Sequence, residues 1–71
     1  MFQEYAVIRL KNIVPTLPIP VGSKGAILIV HERVPLAYEV EFVDQQGKSL
    51  GIHTVRDADL IADDPKKRGM P

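Results

Sequence analysis

Apolar and polar residues alternate with a period of two in three segments of this chain, and no window of helical length escapes its prolines and glycines. Tyr5 to Lys11 places Ala6, Ile8 and Leu10 on one face of a strand and Tyr5, Val7, Arg9 and Lys11 on the other. Leu36 to Val43 alternates cleanly, with Leu36, Tyr38, Val40 and Phe42 pointing one way and Ala37, Glu39, Glu41 and Val43 the other. A slip of one residue there would bury both glutamates, so the register is strongly fixed. Lys48 to Val55 is the returning strand, with Leu50, Ile52 and Thr54 opposed to Gly51, His53 and Val55. Asp44-Gln45-Gln46-Gly47 supplies the hairpin loop, with glycine for the left-handed position.

Ser23 to His31 breaks the alternation. The run Ala26-Ile27-Leu28-Ile29-Val30 predicts a strand buried on both faces, or one whose second face another chain covers. Gly25 just before it fits a bulge or a sharp bend, and Glu32-Arg33-Val34-Pro35 makes a turn. Between the first two strands, Asn12 to Gly22 contains Pro15, Pro18 and Pro20, which forbid a helix interior and a paired central strand. Its apolar members Ile13, Val14, Leu17, Ile19 and Val21 are too many for a loop in water, so part of it should fold back over an open end of a barrel. Asp57-Ala58-Asp59-Leu60 reads as one helical turn started by an aspartate cap, and Ile61-Ala62 as a short closing strand.

Strands at roughly ten-residue spacing, in this order, predict an all-β fold. The expected architecture is a small five-stranded SH3-like barrel over residues 1–62, with a long proline-rich first loop and one short 3-10 turn near the C-terminus. Residues 63–71, an acidic pair followed by a basic triplet, are expected to form a flexible charged tail.

Composition narrows the function. Seventy-one residues allow one domain, and a hydrophobic share of 45% is that of a folded chain. The absence of cysteine excludes disulfides and thiolate metal sites and favours a reducing cytoplasm. Met1-Phe2-Gln3-Glu4 lacks the features of a signal peptide, and the longest apolar run is far short of a membrane span. Nine basic residues balance nine acidic ones, which argues against a dedicated nucleic-acid or membrane binder and gives little charge protection against self-association.

Reactive groups are few. His31, near a strand end, and His53, facing solvent, are read as isolated strand histidines, because no carboxylate stands at a recognised ligand spacing. Ser23 and Ser49 sit beside turns with no nucleophile motif around them. Glu39 and Glu41 are read as a solvated face with lysine or arginine opposite. Gly22 and Gly25 are read as turn glycines, and Pro15-Thr16-Leu17-Pro18 as a chance match to a Pro-x-x-Pro ligand. No catalytic residue, metal or cofactor is expected.

Val7-Ile8-Arg9-Leu10, Leu17 through Ile27, Ala37-Tyr38-Glu39-Val40-Glu41-Phe42 and Leu60 together resemble a family of small uncharacterised bacterial proteins, over roughly residues 4 to 62. The resemblance implies a barrel of the SH3 type without assigned catalytic residues. Some members are encoded beside toxin-like proteins, which implies an antitoxin-like or immunity-like role. Gly22-Ser23-Lys24-Gly25-Ala26-Ile27 is similar to the ribosome-associated KOW motif, although the basic surplus of that motif is missing. Tyr38-Glu39-Val40-Glu41-Phe42 is similar to the barrel of the nitrile hydratase β subunit and its small accessory proteins, which implies a helper role.

The reading that follows is a non-catalytic, cytoplasmic protein-binding module. Leu17, Ile19, Ile27 and Ile29 are expected to make apolar contacts, and Tyr38 to serve as core or contact. The partner would be an unidentified protein or a second copy in a homodimer. The alternatives are a KOW-like nucleic-acid-binding domain using Arg9, Lys11, Lys24 and Arg33, and a self-assembling structural subunit.

Overall fold

The alternating segments become strands of one antiparallel sheet in the computed structural model, which describes residues 1–64. They are β1 (Val7–Leu10), β2 (Lys24–His31), β3 (Ala37–Val43), β4 (Ser49–Arg56) and β5 (Leu60–Ala62), with a 3-10 turn at Asp57–Asp59. The sheet order is β4-β3-β2-β1-β5, so the all-β, five-stranded arrangement is as expected. The sheet does not close, and β4 and β5 remain its two edges. Among the described residues no helix is long and apolar enough to cross a membrane.

The core follows the alternation. Ile8, Leu10, Ile27, Tyr38, Val40 and Phe42 are almost completely buried, with Val55, Leu60 and Ile19 around them. Val14 and Leu17 of the proline loop also pack on this cluster, whereas Ile13 and Val21 are exposed. The loop thus adds to the interior, as expected of a segment with so many apolar residues, and the outer side of β2 keeps its own exposed positions. β1 is shorter than the alternation suggests at both ends, and Tyr5, just before it, adopts a left-handed conformation (φ 68°).

β2 departs most from its sequence reading. Ile27 stands opposite Val40, but Ile29 stands opposite Glu39, so Leu28 is the extra residue of a bulge. The bulge reverses the parity of the strand. Gly25 and Ile27 are buried before it, and beyond it Ile29 emerges half exposed while its neighbour Val30 packs against the core. The apolar run is therefore not buried on both faces.

Gly25 is neither bulge nor bend. It pairs regularly with Ile8 and Phe42, and its role is close approach. A Cβ there would stand 2.8 Å from Val40 Cγ1 and 2.9 Å from the Glu41 carbonyl oxygen. The β3–β4 hairpin is as expected: Gly47 is left-handed (φ 82°) and donates its N–H to the Asp44 carbonyl.

Asp57 is not a helix cap, since the capping position is Arg56 and no side chain caps the start of the turn. Its carboxylate instead accepts the Tyr38 hydroxyl proton at 2.6 Å, and that hydroxyl accepts the Phe2 N–H at 2.8 Å. Ala37, expected to point outward, is fully buried at a position opposite His31 and Arg56. Asp63 does not behave as the start of a tail. It is nearly buried, donates its N–H to the Val7 carbonyl and pairs with Arg9. The remainder of the expected tail, from residue 65, lies outside the described residues.

Candidate functional site

Two surfaces stand out, and the bulge in β2 creates the first. Across the outer face of the sheet, Ile52 of β4 lies opposite Glu41, Glu41 opposite Ala26, and Ala26 opposite Val7. In the next row Thr54 lies opposite Glu39, and Glu39 opposite Ile29. Val7, Ile29 and Ile52 are 44%, 51% and 56% exposed, far more than core residues of the same type.

The glutamates between these side chains are held in place. Glu39 accepts bonds from the Thr54 hydroxyl at 2.7 Å and pairs with His31 Nε2 at 2.7 Å; Glu41 accepts the Ser49 hydroxyl at 2.9 Å. The expected lysine or arginine opposite them is replaced by hydroxyls and an imidazole, because the strand register puts Thr54 and Ile52 there. The Thr54 hydrogen bond, then the His31 bond, lowers the Glu39 pKa below its ordinary 4.5, with partial desolvation opposing. A depressed folded pKa contributes stability above the unfolded value and loses it as pH falls through the folded one. Acidification from about pH 5 to pH 3 should therefore lower the melting temperature of the wild type more than that of Glu39→Gln. Parallel acid limbs in thermal melts would remove Glu39 as the responsible group.

His53 is not the solvent-facing residue expected. It lies on the inward side of β4, half-buried, with its ring 6.4 Å from that of Phe42. Among the described residues no group of three histidine, cysteine, aspartate or glutamate side chains is placed to hold a metal ion.

The second surface is a groove of about 730 Å³ where the proline loop faces the β3–β4 hairpin. Pro18, Pro20 and Val21 form one wall, and Val43, Leu50 and the Asp44–Gly47 turn form the other. Arg9 and Lys24 stand along it as cross-strand neighbours. Gly22 turns the loop back with φ 90°, donating its N–H to the Leu10 carbonyl and accepting a bond from Arg9 Nη1 at 2.7 Å. On the opposite wall the Asp44 carboxylate accepts the N–H groups of Gln46 and Lys48, both at 2.9 Å.

The residues singled out from sequence divide between interior and surface. Ile27 and Tyr38 are fully buried and Ile19 is 7% exposed, so these three are core and offer nothing to a partner in the folded chain. Leu17 is half-buried on the core, and Ile29 alone of the set is a surface residue. Val7 shares the outer face as its strand position suggests, and Ile52, outward in the β4 alternation, joins it as a residue outside the expected contact set. Of the four basic residues, Arg9 and Lys24 adjoin each other, with Asp63 at 2.9 Å and 4.0 Å from them. Lys11 follows β1, and Arg33 lies beyond the far end of β2, an end that is itself about 23 Å from Lys24 along the strand. The four do not form one patch.

No curated protein and no solved structure matches the chain. A family model described as a domain of unknown function, DUF4926, matches residues 4–62, which is most of the chain and includes every strand that builds both surfaces. The chain belongs to that family.

Proposed function

We propose that this chain is a non-catalytic protein-binding domain that docks a protein partner on the outer face of β1–β4. One observation carries the reading: Val7, Ile29 and Ile52 share that face, each about half exposed. Burying the exposed half of such a side chain contributes on the order of 1 kcal/mol, so the three together match a weak contact that a polar rim would complete. The long first loop, the β2–β3–β4 meander, the 3-10 turn and the closing strand on β1 support the SH3-like reading of the architecture. An antitoxin-like, immunity-like or accessory-subunit role is the concrete form this takes, with the partner in the same compartment, read as the cytoplasm.

A photo-crosslinking residue in place of Ile29 should give a discrete adduct in cells of the source, while one at Val34, 99% exposed but off this face, should give none. If the folded Ile29 probe yields no adduct, the docking reading is lost. An adduct of twice the chain mass would identify a second copy as the partner. A nucleic-acid role has less support, because Arg9 and Lys24 share Asp63 and Arg33 is remote from both.

A further inference from the structure

The groove between the proline loop and the β3–β4 hairpin is a second surface, which adjoins the outer face through Arg9, Lys24 and Val43. We propose that it binds an extended, apolar peptide segment bearing carboxylate side chains, supplied by a partner protein. Its volume of about 730 Å³ falls within the range of pockets that enclose ligands, roughly 300–1,000 Å³. Pro18, Pro20, Val21, Val43 and Leu50 give it apolar walls suited to alternate side chains of an extended segment.

Both walls are fixed before any ligand arrives. Proline locks the backbone torsion at two positions of one wall, and Asp44 fastens the hairpin through two N–H groups. Such pre-organisation removes part of the ordering cost of binding.

The charges select the ligand. The Arg9 guanidinium is committed, with Nε on Asp63 at 2.9 Å and Nη1 on the Gly22 carbonyl at 2.7 Å. Lys24 Nζ stands 4.0 Å from the same aspartate, beyond hydrogen-bond distance, and its side chain is 48% exposed. Of the carboxylates around it, Asp63 is bound by Arg9, and Asp44 accepts the N–H groups of its own hairpin. An ammonium group with open donors thus sits beside an apolar cleft. A carboxylate on a bound peptide can take an ion-paired hydrogen bond there, whereas an amide oxygen accepts a weaker one and a lysine none.

The test titrates the isotope-labelled full chain with short peptides that alternate leucine with glutamate, with glutamine or with lysine, and with a single-stranded oligonucleotide, following backbone amide signals. Expected are saturable shifts at Gly22, Lys24, Gln45 and Gly47 with the glutamate peptide, about tenfold weaker binding of the glutamine peptide, and none of the lysine peptide. Lys24→Gln should lower affinity to that of the glutamine peptide. Gln45→Glu, at the exposed hairpin tip, should weaken binding through repulsion without touching the core. The proposal is overturned by absent saturation, by equal binding of glutamate and glutamine peptides, by indifference to both variants, or by an oligonucleotide that binds more tightly. Shifts confined to Val7, Ile29 and Ile52 would also overturn it while leaving the outer-face reading intact.

Discussion

Replacing Tyr38 by alanine is expected to leave the chain largely unfolded at room temperature. The ring is completely buried at the centre of the core and lies 5.7 Å from the ring of Phe2. Truncating a buried aromatic side chain costs about 3–5 kcal/mol. A 71-residue domain has total stability of roughly 4–10 kcal/mol, with small domains near the lower end. The loss extends beyond the cavity, because the hydroxyl ties together three segments: the N-terminus through Phe2, β3 itself, and the 3-10 turn through Asp57.

Tyr38→Phe isolates that last contribution. It keeps the ring but leaves the Asp57 carboxylate and the Phe2 N–H without their partner, at a cost of about 1–3 kcal/mol. It should also change the alkaline limb of stability. Burial raises the Tyr38 pKa above its ordinary 10.0, and the Asp57 hydrogen bond and charge add to this, with the Phe2 N–H opposing. A raised folded pKa means that the stabilisation is complete below the unfolded value and is lost as pH climbs through the folded one. Urea midpoints of the wild type should therefore fall above about pH 10, and those of Tyr38→Phe should fall less. Identical alkaline limbs would show that the hydroxyl is not the titrating group.

The second large effect is expected at Gly25, where alanine should cost about 1–3 kcal/mol through overpacking. Two of the three atoms that a new methyl would meet are side-chain carbons of Val40 and Phe42, at 2.8 Å and 3.0 Å, and both belong to the core. The third is the Glu41 carbonyl oxygen at 2.9 Å, a backbone atom of a paired strand that cannot step aside without disturbing the β2–β3 ladder. Gly47→Ala is the contrast. Nothing lies within 4 Å of its added carbon, and only the φ of 82° is strained, for about 1–2 kcal/mol at most. Denaturant unfolding should rank Gly25→Ala as the more damaging of the two; the reverse order would mean that β2 and β3 pack less closely than the structure has them.

These two residues also mark how far the sequence could be read. Tyr38 stood in an unbroken alternation, which placed it on the same side as Val40 and Phe42 but left core and contact surface equally open. Gly25 was visible as a glycine before an apolar run, and bulge and bend are the common reasons for one. The actual reason, the closeness of Val40 and Phe42, depends on residues fifteen and seventeen positions away in the chain. The bulge was one residue class away from detection: five apolar residues in a row signal that alternation has failed, but not where the extra residue sits. Once Leu28 is identified, the exposure of Ile29 follows from parity alone.

The candidate surfaces were legible to the same limited degree. Ile29 and the proline loop were singled out from composition, and each contributes to one of the two surfaces. Ile19 and Ile27 meet the same criterion and are core. Hydrophobicity does not separate the two cases, since an apolar residue is equally apolar under a loop and in front of one.

By itself the sequence determined the strand segments, the faces of β1, β3 and β4, the hairpin glycine and the single short turn. Each of these depends on local spacing and backbone preference, which neighbouring residues settle among themselves. Only the tertiary structure decided which half of the β2 run is inside, that Asp57 serves Tyr38 and not a helix end, and that Asp63 gathers Arg9 and Lys24 at the groove. The physical reason is that burial and hydrogen-bond partners are properties of pairs of residues. In an antiparallel sheet with the order β4-β3-β2-β1-β5, the pairs that matter are supplied by segments far apart in the chain.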